Sequence, residues 1–151
     1  SALKADAGSA RYVVDTMPSN FPYIGLIFRA FPKVKVLTCQ RHLLDNCLYA
    51  YFQRYQHANT YSYNLQDTAA FFADYHQMIS HWNSLFGDRI LTQTYEDLVI
   101  HPVDTAKKIF KFCDLDFKEE WAPTHLTDKE IGRWHAYTDE LAPLIEWLEQ
   151  Q

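Results

Sequence analysis

The chain is short of the residues that break regular structure, with four glycines and six prolines in 151 residues. A loop-dominated or low-complexity protein is excluded by that scarcity, and a 16% share of aromatic residues excludes disorder over most of the length. Basic charge is not in excess either. Fourteen Lys and Arg against nineteen Asp and Glu give a formal net charge of −5, so nucleic acid is not an expected partner and any anion site has to be local. Apolar runs are only a few residues long, and the first ten residues have no apolar core of leader length. No membrane span is therefore expected, and a cytoplasmic location is. Cys39, Cys47 and Cys113 are odd in number and lack paired metal-ligand spacing, which favours neither a disulfide framework nor a zinc site. Each falls in an apolar pattern and is expected to be a buried free thiol. His76 and His81 are off the ideal spacing for one helical face, and no metal is expected.

What is present is the material for one globular core, with 48% hydrophobic residues. Arg11 to Asp15 reads as a first strand, Phe21 to Phe31 as a helix broken by Pro32, and Val34 to Cys39 as a second strand. A helix from Leu43 to Tyr55 follows, because Cys47, Leu48, Tyr51 and Phe52 recur at the helical period. After a tyrosine-rich loop from His57 to Tyr63, Asn64 can cap a long helix carrying Ala69, Phe72, Tyr75, Ile79, Trp82 and Phe86. Arg89 to Gln93 supplies a third strand, closing on Thr94 to Leu98. Pro102 opens another helix, and Thr138 with Asp139 and Glu140 opens the last. Strands alternating with helices predict an α/β fold, a parallel sheet with flanking helices. Three readable strands are few for such a sheet, so the chain reads as part of a larger one.

Arg41 stands where the second strand runs into its helix, the end at which open α/β sheets bind ligands. A guanidinium there can fork onto a phosphate or sulfate beside the helix N-terminus. Pairing with a carboxylate such as Asp15 or Asp45 is the equally weighted alternative. The tyrosines between Tyr49 and Tyr63 admit two readings as well, an acceptor pocket or a packed aromatic cluster.

Several segments in order resemble the C-terminal half of the sulfotransferase family, closest to the bacterial type linked to tetratricopeptide repeats and to tyrosylprotein sulfotransferases. They are Val14 to Phe21, Ile24 to Ile27 with Phe31-Pro32, Gln40-Arg41 through Asp45, Tyr75 to Trp82, Thr94 to Leu98 with Pro102, and Ile131 to Trp134 before Tyr137. The resemblance implies a P-loop-like fold and transfer of a sulfuryl group from 3′-phosphoadenosine 5′-phosphosulfate to an acceptor hydroxyl or amine. It assigns Arg41 to the donor's 3′-phosphate, Tyr95 to the adenine, and Gly132 and Trp134 to a late motif covering the nucleotide. Tyr95 as a strand-end anchor and Trp134 as core are the plainer readings of the same residues. Lys129 and Arg133 are nearby cations within reach of phosphate. The resemblance identifies no catalytic base and no acceptor.

The chain departs from the family in four places. Residues 1–10 hold no phosphosulfate loop, Thr16 stands where the family has lysine, Tyr49 where it has a second phosphate-binding serine, and the stretch from Trp121 to Gly132 is short. Residues 1–10 are accordingly expected to be a tail or remnant, and 11–151 the C-terminal part of a sulfotransferase domain. Two functions stay open: a sulfotransferase of which this chain is the nucleotide-covering part, or an inactive sulfotransferase-like interaction module. Apolar surface left bare by missing strands would be covered by a second copy or by an N-terminal portion.

Overall fold

The computed structural model describes residue 10, residues 12–53, residue 55 and residues 59–149. Residues 1–9 of the expected tail, Arg11 and His57 lie outside the described residues. The elements run α1 (Ile24–Ala30), β1 (Val36–Gln40), α2 (Leu43–Gln53), α3 (Leu65–Phe86), β2 (Ile90–Thr94), α4 (Tyr95–Ile100), α5 (Pro102–Phe112) and α6 (Thr138–Glu149), with short 3₁₀ turns between several of them. The fold is mixed α/β. Its sheet has two strands, β1 and β2, paired in parallel.

The expected first strand does not form. Residues 12–17 follow no regular pattern and Val14 is 82% exposed, because no neighbouring strand among the described residues accepts their hydrogen bonds. The third strand closes on Thr94 as expected, and the residues after it, from Tyr95, form α4. Thr94 adopts an extended conformation and its hydroxyl accepts the Asp97 N–H at 3.1 Å, which is an N-cap. The same chemistry opens α3, where the Asn64 side chain accepts from the N–H groups of Gln66 and Asp67.

At 22 residues α3 is the spine of the molecule. Its first half gives Ala69 and Phe72 to a core shared with Leu44 and Cys47 of α2 and Leu141 and Leu144 of α6. Its second half gives Tyr75, Ile79, Trp82 and Phe86 to a second core with Ile24, Phe28 and Ile90. Gly25 is what lets α1 approach. A Cβ there would stand 2.9 Å from the Trp82 ring, whose Nε1–H donates to the Phe21 carbonyl at 2.9 Å. Across the sheet the Thr38 hydroxyl donates to that of Thr92 at 2.9 Å, so these inward polar groups satisfy each other.

The cysteines divide. Cys47 is fully buried, and desolvation pushes its thiol up to about 12. Cys39, expected to be buried, is exposed because the alternation of β1 turns Thr38 inward and Leu37 and Cys39 outward. No helix among the described residues is long and apolar enough to cross a membrane.

Two outcomes follow from this packing. A disulfide-exchange reagent should label Cys39 in the native protein and reach Cys47 only on unfolding; prompt labelling of Cys47 would contradict the packing around α2. Ile79→Ala should lower stability by about 2–5 kcal/mol, read from urea denaturation with the slope unchanged.

Candidate functional site

The site is built by strand register. Gln40 at the end of β1 is paired with Thr94 at the end of β2. The residues that follow them, Arg41 and Tyr95, therefore leave the sheet side by side at its carboxyl edge. The guanidinium carbon of Arg41 lies 4.9 Å from the centre of the Tyr95 ring and 5.5 Å from that of Tyr49, on α2. Two electron-rich ring faces thus hold one cation, each contact worth about 0.5–1 kcal/mol at a partly exposed site. The two strand-to-helix turns are also joined directly, since the His42 N–H donates to Glu96 Oε1 at 2.9 Å.

Neither carboxylate that could have paired with Arg41 does so. Asp15 accepts the Met17 N–H at 2.9 Å, and Asp45 is turned to backbone elsewhere. Among the described residues no ion pair joins Arg41 to a carboxylate. Its Nη2–H donates to the main-chain carbonyl of Glu130, and its buried Nε has no hydrogen-bond partner. An unpartnered buried donor on a fixed cation is an unfilled demand for an acceptor.

The rest of the site comes from far along the chain. Asp45, 2% exposed, accepts the Gly132 N–H at 2.7 Å through one carboxylate oxygen and the Trp134 N–H at 2.9 Å through the other. Gly132 is left-handed, with φ +70°, and a Cβ would crowd the His135 ring at 3.3 Å. Trp134 stacks on the His42 ring, centres 5.5 Å apart and planes 3° from parallel, lies against the His135 ring with centres 3.8 Å apart, and packs on the α2–α6 core. Tyr95 Oη–H donates to the Thr127 carbonyl at 3.3 Å. Tyr95 and Trp134 are thus anchors in the fold as well as walls of the site.

Of the residues named from sequence, Arg41, Tyr49 and Tyr95 meet directly, and Gly132 and Trp134 are tied to the same strand-to-helix turn through Asp45 and His42. The two outlying cations differ from them. Lys129 is exposed, its backbone N–H bonded to Thr127 Oγ1. Arg133 is already paired with the Glu130 carboxylate at 3.0 Å and lies over the Phe52 ring. Glu96 and His42 are not singled out by the sequence, and Asp45 is weighed there only as one alternative partner of Arg41; the amides that Asp45 binds lie 87 and 89 residues away, beyond the reach of a local signal.

In the tyrosine-rich stretch the side chains differ in packing. Tyr61 stacks on Phe71 with centres 3.9 Å apart, whereas Tyr51 and Tyr63 stay exposed and line an open depression of about 290 Å³ with Gln66 and Glu140. No group of three or more metal-ligating side chains occurs among the described residues.

A model of the sulfotransferase family matches residues 1–119. An uncharacterized protein of Aquifex aeolicus (strain VF5) is 25% identical over 158 residues, which take in 91% of this chain and 21% of that protein. The chain thus spans about a fifth of this relative's length, and no solved structure matches it significantly. The chain belongs to the sulfotransferase family. Arg41, Tyr49 and Tyr95 fall within the matched residues, and the turn at Gly132 lies beyond them.

The left-handed turn at Gly132 can be checked by substitution. Gly132→Ala should cost about 1–2 kcal/mol, seen as a melting temperature lower by roughly 2–8 °C. An unchanged melting temperature would mean the turn is not held in this conformation.

Proposed function

We propose that this chain supplies the nucleotide-holding part of a sulfotransferase that uses 3′-phosphoadenosine 5′-phosphosulfate, with Arg41 as the 3′-phosphate ligand. The observation that carries the reading is the state of Arg41: a cation at the carboxyl end of a parallel strand, framed by Tyr49 and Tyr95, without a carboxylate partner and with a buried unpartnered Nε. Those features fit a phosphate. Arg41 would hold it through charge-assisted hydrogen bonds, and Tyr95 would meet the base with its ring or hydroxyl. Tyr49 stands where relatives have a serine, and its hydroxyl reaches outward by the length of a ring. Gly132 and Trp134 would cover the nucleotide, with Lys129, exposed beside that turn, and Arg133 as outer cations. The donor supplies an activated sulfuryl group, and the acceptor is a hydroxyl or amine. Groups that neutralise charge on the sulfuryl oxygens are not among the residues assembled here, since Thr16 stands in the lysine position and residues 1–10 contain no phosphosulfate loop.

The first of these departures, Thr16, favours the second reading, a sulfotransferase-like module without chemistry of its own. Val13, Val14, Met17 and Leu37 are exposed apolar side chains, which suits a further part of a P-loop-like domain, or a second copy, lying against this side. In domain terms residues 11–151 are then the C-terminal portion, with 1–10 its remnant. Three free cysteines, one fully buried, suit a reducing compartment such as the cytoplasm.

Isothermal titration with adenosine 3′,5′-bisphosphate tests the site. Micromolar binding, about −8 kcal/mol, is expected, and Arg41→Ala should weaken it by about 1.5–3 kcal/mol. Undiminished affinity in that variant would remove Arg41 from the site. Transfer of sulfuryl groups to any acceptor above a no-protein control would sink the inactive-module reading.

A further inference from the structure

We propose that Asp45 is a positioning residue: its buried carboxylate holds the Gly132–Trp134 turn in the closed form that a nucleotide on Arg41 requires. The proposal rests on the nucleotide reading above. A buried carboxylate is costly unless its oxygens are hydrogen-bonded, and both of the Asp45 oxygens find their donors in this one turn, 87 and 89 residues away. Gly132 makes that convergence geometrically accessible. Its left-handed backbone, followed by the 3₁₀ turn at Arg133–Tyr137, presents two N–H groups to a single anion, the arrangement of a backbone nest.

The partners of Asp45 bind the turn to the phosphate-holding residue. Arg41 and Asp45 flank the same strand-to-helix junction, and Arg41 itself donates to the Glu130 carbonyl, two residues before Gly132. His42, between them, stacks on Trp134. Junction and turn are therefore fastened at three points, of which Asp45 is the fully buried charge that loses both of its donors when the turn opens. At 2% exposure Asp45 is walled off from any ligand. Its effect on binding passes through the turn, and a nucleotide that needs the closed turn must by linkage stabilise the Asp45 contacts.

Asp45→Asn keeps the volume but leaves one acceptor, with an amide N–H₂ facing the other backbone donor. Wild type and variant are titrated with adenosine 3′,5′-bisphosphate, and amide hydrogen exchange at Gly132 and Trp134 is followed by NMR with and without it. The variant should remain folded, exchange faster at these two amides and bind roughly tenfold weaker or more, the size expected for a lost charge-assisted bond. In the wild type the nucleotide should slow exchange at both amides. A purely structural Asp45 would lower the melting temperature and leave the affinity of the folded variant unchanged, which overturns the proposal. Unchanged wild-type exchange on nucleotide binding also overturns it, and that measurement stands even if the variant does not fold. Absence of wild-type binding overturns the nucleotide reading and this role with it, whereas wild-type binding with undiminished affinity in Asp45→Asn overturns this role alone.

Discussion

The parallel pairing of β1 with β2 is the constraint on which the rest of the site depends. Five residue pairs in register, Val36 with Ile90 through Gln40 with Thr94, bring the two strand ends level. A shift by one residue would turn Thr38 and Thr92 from each other and exchange the inward and outward faces of one strand. It would also separate Arg41 from Tyr95. The register is defended from within by the Thr38–Thr92 hydrogen bond and from beyond the sheet by the His42–Glu96 contact. Ile90, buried in the α1–α3 core, holds β2 against the long helix.

Two buried or half-buried charges give the carboxyl edge its character, and they are handled in opposite ways. Asp45 is satisfied by backbone, so that one side chain reaches two amides of a segment nearly ninety residues downstream. Arg41 is satisfied only in part, by the Glu130 carbonyl and two aromatic faces, and its Nε remains open. Low local dielectric strengthens both the satisfied contacts and the unmet one. Order at Asp45 and demand at Arg41, four residues apart on one junction, are the arrangement expected where an anionic ligand must be held beneath a covering turn.

Exposed apolar residues belong to the same account. Val14 in an irregular segment and Leu37 on the outward face of β1 are apolar side chains without neighbours among the described residues that bury them. A two-stranded parallel sheet is small for a doubly wound fold, whose strands are buried on both faces. The chain belongs to the sulfotransferase family and covers about a fifth of the length of its Aquifex aeolicus relative.

Helices, caps and the existence of β1 and β2 were legible in the sequence, because periodic apolar positions and capping side chains act over a few residues. Asn64 opening α3 and Pro102 opening α5 are cases in point. Local pattern failed at 12–15, since a strand needs a partner that apolar residues alone do not provide. Of the site, the sequence by itself determined the cation at the strand end and the aromatic residues near it, since a residue's chemistry and its place at a strand-to-helix junction are local properties. Only the tertiary structure decided that Arg41 meets Tyr95 and that Asp45 serves the Gly132 turn and not Arg41. Those outcomes depend on strand register and on contacts across 87 residues or more, where burial and hydrogen-bond geometry choose among partners that the sequence leaves equal.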